Sequence, residues 1–373
     1  MLSRSRRMAL FSLSCTLLLS VALVFAQSGP NQVKQPLPIS LGTSGGNVHD
    51  MSKRFCCSGT LGALVADTNN TQFILSNNHI LADSDTAAPG DDISQPGLVD
   101  VGCVPTVANS NIVANFSTTK QLGTANIDAA LAQVVSGAVK SSGDILEVGA
   151  PSSTEASPEV GMAVAKSGRT TGLTCATIGS VSTNVRVQYQ RGCGKGKKFT
   201  ISYLNQVLVH GTAFSAAGDS GSLIVTQASA QPVGLLFAGS STTTIANPIS
   251  DVTSAFGVTV VGGGNHIVAC PAGAAAAGPA AIREPLVGSM GRAHLVKEAH
   301  SDRLMQDEAV IGVGVGADPA DPSEAVVVVY LEQGRTHGPI PAELDGVRTL
   351  VVRTDAFRAF GWNEPQTRPC RVE

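Results

Sequence analysis

The chain has 373 residues, of which 43% are hydrophobic and only 4% aromatic, and its formal charge at pH 7 is −3. This length is enough for a sizeable core and about two or three domain-sized units. No basic stripe is present to attract a polyanion, so nucleic acid is excluded as an expected partner.

Residues 1–26 have the layout of an export signal, in which arginines precede a continuous apolar run and Ala26 ends it. Removal of this signal takes away three arginines and no acid, so the formal charge changes from −3 to −6. The apolar run is near the lower limit of about 17 residues for a membrane span, which leaves a retained anchor as the alternative. In both cases we expect the rest of the chain outside the cytoplasm, secreted or periplasmic, with no membrane span after signal removal.

Residues 27–54 are rich in Pro, Gly and polar residues and predict an N-terminal extension with little regular structure. From 55 to 262, short apolar runs such as 60–65, 73–75 and 222–225 are separated by Gly, Asn and Ser. Short strands with turn signals at this density favour a barrel or a sandwich. We therefore expect this stretch to be a mainly β domain.

The composition changes at 263–282, where Ala, Gly and Pro predict a linker. Helix-like spacing follows from Arg283 to about Asp307. Between 311 and 316 branched residues alternate with glycines, which on a strand leaves bare backbone on one face, where a helix could pack closely. Residues 283–373 are thus expected to form a small α/β domain, for which an inhibitory, folding, docking or purely structural role stays open.

The chain has eight cysteines, one of them within the proposed signal. Paired cysteines are expected in an exported protein. Cys175 and Cys193 flank residues 178–189, which read as strand, turn and strand, so a disulfide between them would close a hairpin-like loop. Spacing alone leaves the remaining disulfide connectivity open. Seven cysteines remain after signal removal, so one of them has no partner within the chain. The pairings considered are Cys103 with Cys56 or Cys57, and Cys270 with Cys370.

Ser220 lies in the segment Gly218-Asp219-Ser220-Gly221, directly before an apolar run. A nucleophilic hydroxyl needs a tight turn with backbone N–H groups that can face a developing oxyanion. Gly218 gives the backbone that freedom, and its N–H group and that of Ser220 can point at one spot. Taken alone, the segment is also compatible with an ordinary turn.

Two further residues could activate a nucleophilic hydroxyl, one as a general base and one as the acid that pairs with that base. His79 follows the apolar run 73–75, so a general base could project from the end of a strand. Asp128 is a single acid in the apolar segment 127–132. Burial of that charge is costly unless it is paired, and an imidazole N–H is a suitable partner.

The order His79, Asp128, Ser220, with gaps of 49 and 92 residues from 79 to 128 and from 128 to 220, is similar to that of chymotrypsin-like serine proteases. The resemblance extends over about residues 55 to 262. The segments that carry it are Asn77-Asn78-His79, Ile127-Asp128-Ala129-Ala130-Leu131 and Gly218-Asp219-Ser220-Gly221.

The resemblance implies a double six-stranded antiparallel β-barrel with the triad in the cleft between the barrels, followed here by the small α/β C-terminal domain. Ser220 would attack the scissile carbonyl, His79 would transfer the proton, and Asp128 would hold the imidazole tautomer. Gly218 and Ser220 would supply the oxyanion-hole N–H groups. The implied partners are protein or peptide substrates, with no cofactor or metal, and the C-terminal domain is expected to be able to contact the protease domain.

The segment from Lys166 to Gly172 resembles one in bacterial members of this family in which an arginine holds the acid before the serine. We therefore predict an ion pair between Arg169 and Asp219.

The base of the pocket for the residue before the scissile bond (P1) lies six residues before the serine in this family, which here is Phe214. Ala238 and Gly239 are expected on one pocket wall, next to the substrate. Without a carboxylate at the base, the pocket predicts apolar or small P1 residues rather than Lys or Arg.

Two other functions are considered. One is an exported, non-catalytic binding or scaffold protein with a protease fold, whose C-terminal unit recognises the partner. A complete triad argues against it, because such a protein has no chemical need for all three side chains. The other is an esterase, which the Gly-Asp-Ser-Gly segment and the chain order disfavour.

Overall fold

The computed structural model describes residues 29–193, 196–271, 284–359 and 368–369. The proposed signal, residues 272–282 of the expected linker and Cys370 lie outside these ranges. No helix among the described residues is long and apolar enough to cross a bilayer.

Short strands account for most of the regular structure. The α-helices are α1 (Asn78–Leu81), α2 (Ile249–Phe256) and α3 (Glu284–Leu304), and short 3-10 helices lie at Pro30–Gln32 and Leu98–Val101. The strands are β1 (Thr43–Asn47), β2 (Phe55–Cys56), β3 (Gly59–Leu61), β4 (Ala63–Ala66), β5 (Gln72–Ser76), β6 (Asp92–Gln95), β7 (Asn111–Thr119), β8 (Ala130–Val134), β9 (Ala163–Gly168), β10 (Gly172–Gln190), β11 (Lys198–His210), β12 (Leu223–Thr226), β13 (Pro232–Gly239), β14 (Thr243–Pro248), β15 (Thr259–Val260), β16 (Val310–Ala317), β17 (Ala325–Glu332), β18 (Glu343–Leu344), β19 (Val347–Thr354) and β20 (Arg368–Pro369).

The first barrel is an antiparallel sheet that closes on itself. Its strands follow the order β3, β1, β6, β7, β8, β5, β4, with β15 beyond β4. Strands β3 and β4 are separated only by Gly62, so together they act as the sixth strand and complete the ring. A Cβ at Gly62 would lie 1.9 Å from the carbonyl oxygen of Gly221, so only glycine allows the second barrel to approach this closely.

The second barrel is closed by the strand order β9, β10, β11, β14, β13, β12 and back to β9. Every pairing in this ring is antiparallel. The expected double six-stranded β-barrel is therefore confirmed.

The first barrel begins earlier in the chain than its apolar runs indicate. The expected extension at 27–54 contains β1, which pairs with both β3 and β6. This strand was missed because it buries polar side chains: Ser44 donates to Asp100, and Asn47 donates to the Leu81 carbonyl. The extension that precedes the barrel is thus shorter than predicted.

The C-terminal unit continues the sheet of the second barrel instead of standing apart. Strand β16 pairs with β10, and β17, β19 and β18 follow in order, with β17 and β19 parallel. Helix α3 covers one face of this extension, with Ala293 and Val296 in the same apolar cluster as Val313 and Val315. The boundary between the two units is therefore a strand pairing.

The glycines of β16 do not face the helix, contrary to our expectation. A Cβ at Gly314 would lie 2.2 Å from Thr183 Oγ1, which belongs to β10. Helix α3 instead packs on the branched residues. The bare backbone therefore allows β16 to approach β10 closely.

Among the residues that the structure describes, three disulfides join distant parts of the fold, and the predicted pairing of Cys175 with Cys193 is wrong. Residues 172–190 form the single strand β10 instead of a hairpin. A strand rises about 3.3 Å per residue, so cysteines near or beyond its two ends are too far apart to bond. The observed pairs are Cys56 with Cys103, Cys57 with Cys193, and Cys175 with Cys270.

The pairing of Cys270 with Cys175 also corrects the linker boundary. Residues 263–271 are held on the unit formed by the two barrels, where Val268 is buried and donates its N–H to the Gln227 carbonyl. Any linker therefore begins after this segment.

A polar contact joins the second barrel to the C-terminal unit. His210 Nε2 and Ser180 Oγ each lie 2.8 Å from the Tyr330 hydroxyl. Burial lowers the pKa of His210 below its ordinary value of 6.5. The unfolded chain therefore takes up this proton at a higher pH than the folded chain does.

We expect the free energy of unfolding to fall as the pH drops through about 6.5, with a smaller fall in a His210→Gln variant. Urea unfolding of both proteins at about pH 7.5 and about pH 5.5 measures this difference, because the other titrating groups are common to both. The same pH dependence in the two proteins would contradict the role of His210.

Candidate active site

His79 and Asp128 lie in direct contact inside the molecule. Strand β5 ends at Ser76, and α1 begins two residues later, which projects His79 from the end of the strand. His79 Nδ1 lies 2.5 Å from Asp128 Oδ2, and both side chains are 0% exposed. Asn77 Nδ2 donates to the Asp128 carbonyl at 2.7 Å, which ties the two segments together. The geometry suits an imidazole whose Nδ1 proton is held by a carboxylate.

A tyrosine that sequence reasoning missed also holds this carboxylate. The hydroxyl of Tyr189, on β10, donates to Asp128 Oδ2 at 2.8 Å and lies 2.7 Å from the Tyr203 hydroxyl. Burial and the nearby Asp128 charge raise the pKa of Tyr189 well above 10.0, so the hydroxyl stays protonated as a donor. Nothing in the sequence spacing connects position 189 with position 128, because only barrel closure brings them together.

Ser220 lies on a turn that both barrels hold. Gly218 and Gly221 each have a φ of 96°, a backbone conformation that favours glycine. Thr60 Oγ1 donates to the Gly218 carbonyl at 2.8 Å, and the Thr60 N–H donates to the Ser220 carbonyl at 2.9 Å. Strand β3 therefore holds the serine turn from the opposite barrel.

The N–H groups of Gly218 and Ser220 are the two that the sequence assigns to an oxyanion hole. Neither donates to a backbone or side-chain acceptor in the part of the chain that the structure describes. Neither N–H group is therefore used to hold the described part of the fold together.

The predicted ion pair between Arg169 and Asp219 is wrong. Arg169 makes a two-pronged contact with Asp100, with Nε to Oδ2 at 2.7 Å and Nη2 to Oδ1 at 2.6 Å. Asp219 instead lies 3.5 Å from Lys166 Nζ, and both of these side chains are 0% exposed. The resemblance suggested the right segment, 166–172, but the wrong cation.

Local geometry explains which cation reaches Asp219. A Cβ at Gly168 would lie 2.6 Å from Asp219 Oδ1, so the glycine lets the carboxylate approach the backbone. There Asp219 accepts from the Thr170 N–H at 2.8 Å and from Thr171 Oγ1 at 2.7 Å. Lys166 lies two residues before Gly168 on β9, so both are on the same face of the strand, whereas Arg169 lies beyond the end of β9 in the following turn.

The residues assigned to substrate recognition occupy two different environments. Phe214 is 2% exposed and belongs to the apolar cluster inside the second barrel. Ala238 is 0% exposed on β13. Gly239, the last residue of β13, pairs through its backbone with Arg358 of the C-terminal unit. The pocket assignment of Phe214 and Ala238 stays a prediction.

The described residues contain one group of potential metal ligands close enough to share an ion, formed by Asp50, Cys57 and Cys193. Both cysteines are joined in a disulfide, so they have no thiolate to offer. This group does not suit a metal.

Replacement of Lys166 tests how the serine turn is held. Lys166→Met would leave the Asp219 carboxylate buried without its cation, so we expect the free energy of unfolding to fall by about 3–5 kcal/mol. The control Lys140→Met removes an exposed pair with Asp144 and should cost less than about 1 kcal/mol. Urea unfolding measures both, and equal small losses would refute the role given to Lys166.

No protein-family model and no curated protein sequence matches the chain. Among solved structures it is similar to a glutamic-acid-specific serine protease described as using a histidine triad in substrate binding, at 22% identity and a TM-score of 0.43, covering 60% of this chain and 100% of that one. An α-lytic protease homologue, N4, gives 18% identity and a TM-score of 0.41 over 59% of this chain and 98% of the other. Thermobifida fusca protease A gives 20% identity and a TM-score of 0.39 over 59% and 98%. At these identities the likeness concerns the fold, which is similar to that of chymotrypsin-like bacterial serine proteases.

Proposed function

We propose that this chain is a serine endopeptidase that hydrolyses peptide bonds through His79, Asp128 and Ser220. The observation that carries the proposal is the fully buried contact of 2.5 Å between His79 Nδ1 and Asp128 Oδ2. Burial of a carboxylate against an imidazole is costly, and it is useful where the ring must alternate between neutral and charged forms. The serine on its glycine turn supplies the nucleophile that such a base needs.

The proposed reaction proceeds in two stages. His79 Nε2 accepts the hydroxyl proton as Ser220 Oγ forms a bond to the substrate carbonyl carbon, and the carbonyl electron pair moves to its oxygen. The N–H groups of Gly218 and Ser220 stabilise that oxyanion. The imidazolium then protonates the leaving amine, which breaks the peptide bond and leaves an acyl-enzyme. Water, deprotonated by His79, attacks the ester carbon. The bond to Ser220 Oγ then breaks, the imidazolium returns its proton to that oxygen, and the acid is released.

Asp128 and Asp219 have separate tasks in this scheme. Asp128 holds the Nδ1 proton of His79 and stabilises the imidazolium as it forms. Asp219, held by Lys166 and the N–H group of Thr170, fixes the turn that presents Ser220. Neither carboxylate needs to exchange a proton with the substrate.

The expected setting is outside the cytoplasm. Three disulfides are consistent with an oxidising compartment. Export by residues 1–26 is part of the proposal. The substrates are proteins or peptides, with apolar or small residues preferred before the scissile bond because Phe214 brings no carboxylate to the pocket.

The test of the function is covalent labelling of the full chain with a fluorophosphonate, followed by mass mapping. We expect label on Ser220 and none in a Ser220→Ala variant. A Ser222→Ala variant, two residues away, serves as the matched control and should still be labelled. The reagent acts irreversibly, so label accumulates even if the site opens rarely. A folded chain without label on Ser220 would favour the non-catalytic binding protein.

Tyr189→Phe tests whether the hydroxyl at Asp128 acts in catalysis. Loss of a hydrogen bond to a charged group should lower kcat about tenfold and leave KM nearly unchanged, because Tyr189 acts on the triad and not on the substrate. Tyr203→Phe removes a hydroxyl that contacts Tyr189, and should have a smaller effect. Turnover of a peptide substrate measures both, and a change confined to KM would exclude this role.

A further inference from the structure

A segment of the C-terminal unit lies inside the cleft that the proposed function assigns to substrate. After β19 the chain runs through residues 355–359 between β13 and β10. The Arg358 N–H donates to the Gly239 carbonyl at 2.9 Å, and the Gly239 N–H donates to the Arg358 carbonyl at 3.0 Å. This is an antiparallel pairing at the end of β13.

The other edge of the same segment is paired as well. The Gln188 N–H, on β10, donates to the Phe357 carbonyl at 2.9 Å, and the Ala359 N–H donates to the Gln188 carbonyl at 3.1 Å. The segment is therefore a short inserted strand with four backbone hydrogen bonds. Such bonds recognise an extended polypeptide whatever its side chains are.

The inserted strand reaches the proposed nucleophile. Ser220 Oγ lies 3.2 Å from the Ala359 carbonyl oxygen, and its hydroxyl can donate to that oxygen. His79 and Asp128 are 0% exposed and Ser220 is 2% exposed. A triad buried to this degree has no room for a second polypeptide. The observed arrangement is thus closed to substrate.

Several contacts hold the segment in place from both of its ends. Phe357 is 0% exposed, and its ring centre lies 5.8 Å from that of Tyr330 on β17. Ser241, just after β13, donates to the Asp355 carboxylate. Farther along, β20 pairs with β2 beside the first barrel. The C-terminal part of the chain is therefore attached to the second barrel before the cleft and to a strand near the first barrel after it.

We propose that residues 355–359 are the resident ligand of the substrate-binding cleft and hold the protease inactive, and that substrate enters as the same inserted strand once they leave. The proposal rests on the proposed function and names its regulation. The segment is tethered to the protease through β16 and β10, so it rebinds at a high effective concentration. Its departure frees one N–H and one carbonyl on each of Gln188 and Gly239.

The first test uses two substitutions at one position in the full chain. Arg358→Pro removes the N–H that binds the Gly239 carbonyl and puts the proline ring in its place. Arg358→Ala keeps that N–H and serves as the matched control. We expect fluorophosphonate to label Ser220 about tenfold faster in the proline variant than in the wild type. The alanine variant should stay close to the wild type. Mass measurement and the unfolding midpoint check that each chain is intact and folded.

The second test adds the ligand from outside. The peptide acetyl-Thr-Asp-Ala-Phe-Arg-Ala-amide copies residues 354–359. Added to the Arg358→Pro chain, it should slow the labelling of Ser220. The same peptide methylated on the backbone nitrogen of its arginine should not, because it cannot donate to the Gly239 carbonyl. Equal inhibition by both peptides would overturn the backbone-pairing site.

The outcomes separate this inference from the function on which it rests. If Ser220 is labelled equally fast in the wild type and the proline variant, the protease assignment stands and the inhibitory segment is refuted. If Arg358→Ala accelerates labelling as much as Arg358→Pro, a side chain and not the inserted strand closes the cleft. If no variant is labelled on Ser220, the proposed function itself fails.

Discussion

The contact between β3 and the Ser220 turn is the constraint on which the rest of the site depends. Thr60 binds the carbonyls of Gly218 and Ser220 from the first barrel, and Gly62 lets Gly221 approach within van der Waals distance. This contact places the Ser220 turn of the second barrel beside the sheet of the first barrel, which carries His79. A larger residue at position 62 would push the Ser220 turn away from the first barrel, which carries His79.

Two buried carboxylates show how the fold accommodates charge near this contact. Asp219 is compensated by Lys166 and by backbone and hydroxyl donors, so its role is to fix a turn. Asp128 is compensated by His79, whose imidazole changes charge in the proposed reaction, and by the hydroxyl of Tyr189. Burial makes each carboxylate dependent on its partners. The partners of Asp219 fit a structural role, and those of Asp128 fit a role in the proposed reaction.

Strand β10 connects three features that the sequence presents separately. Along its 19 residues it completes the second barrel, pairs with β16 of the C-terminal unit, and brings Gln188 and Tyr189 to the cleft. Gln188 binds the inserted strand while the next residue holds Asp128. Strand β10 therefore holds both the C-terminal unit and a hydrogen-bond donor to Asp128. The proposed inhibitory segment and the proposed triad are thus bound by adjacent residues of one strand.

The sequence by itself determined the mainly β class, with barrel or sandwich left open until the family resemblance favoured a double barrel, and it also determined the residue types of the proposed site and the need for Gly218 in the serine turn. These follow from local chemistry, since a nucleophile turn needs glycine and short apolar runs favour strands. Only the tertiary structure decided the partner of Asp219, the disulfide pairs, the place of β1, the contact of Tyr189 with Asp128 and the occupant of the cleft. In each of these cases the interacting groups are far apart in the chain. Which groups pair depends on their distance and burial after the barrels close, and the sequence does not give these quantities.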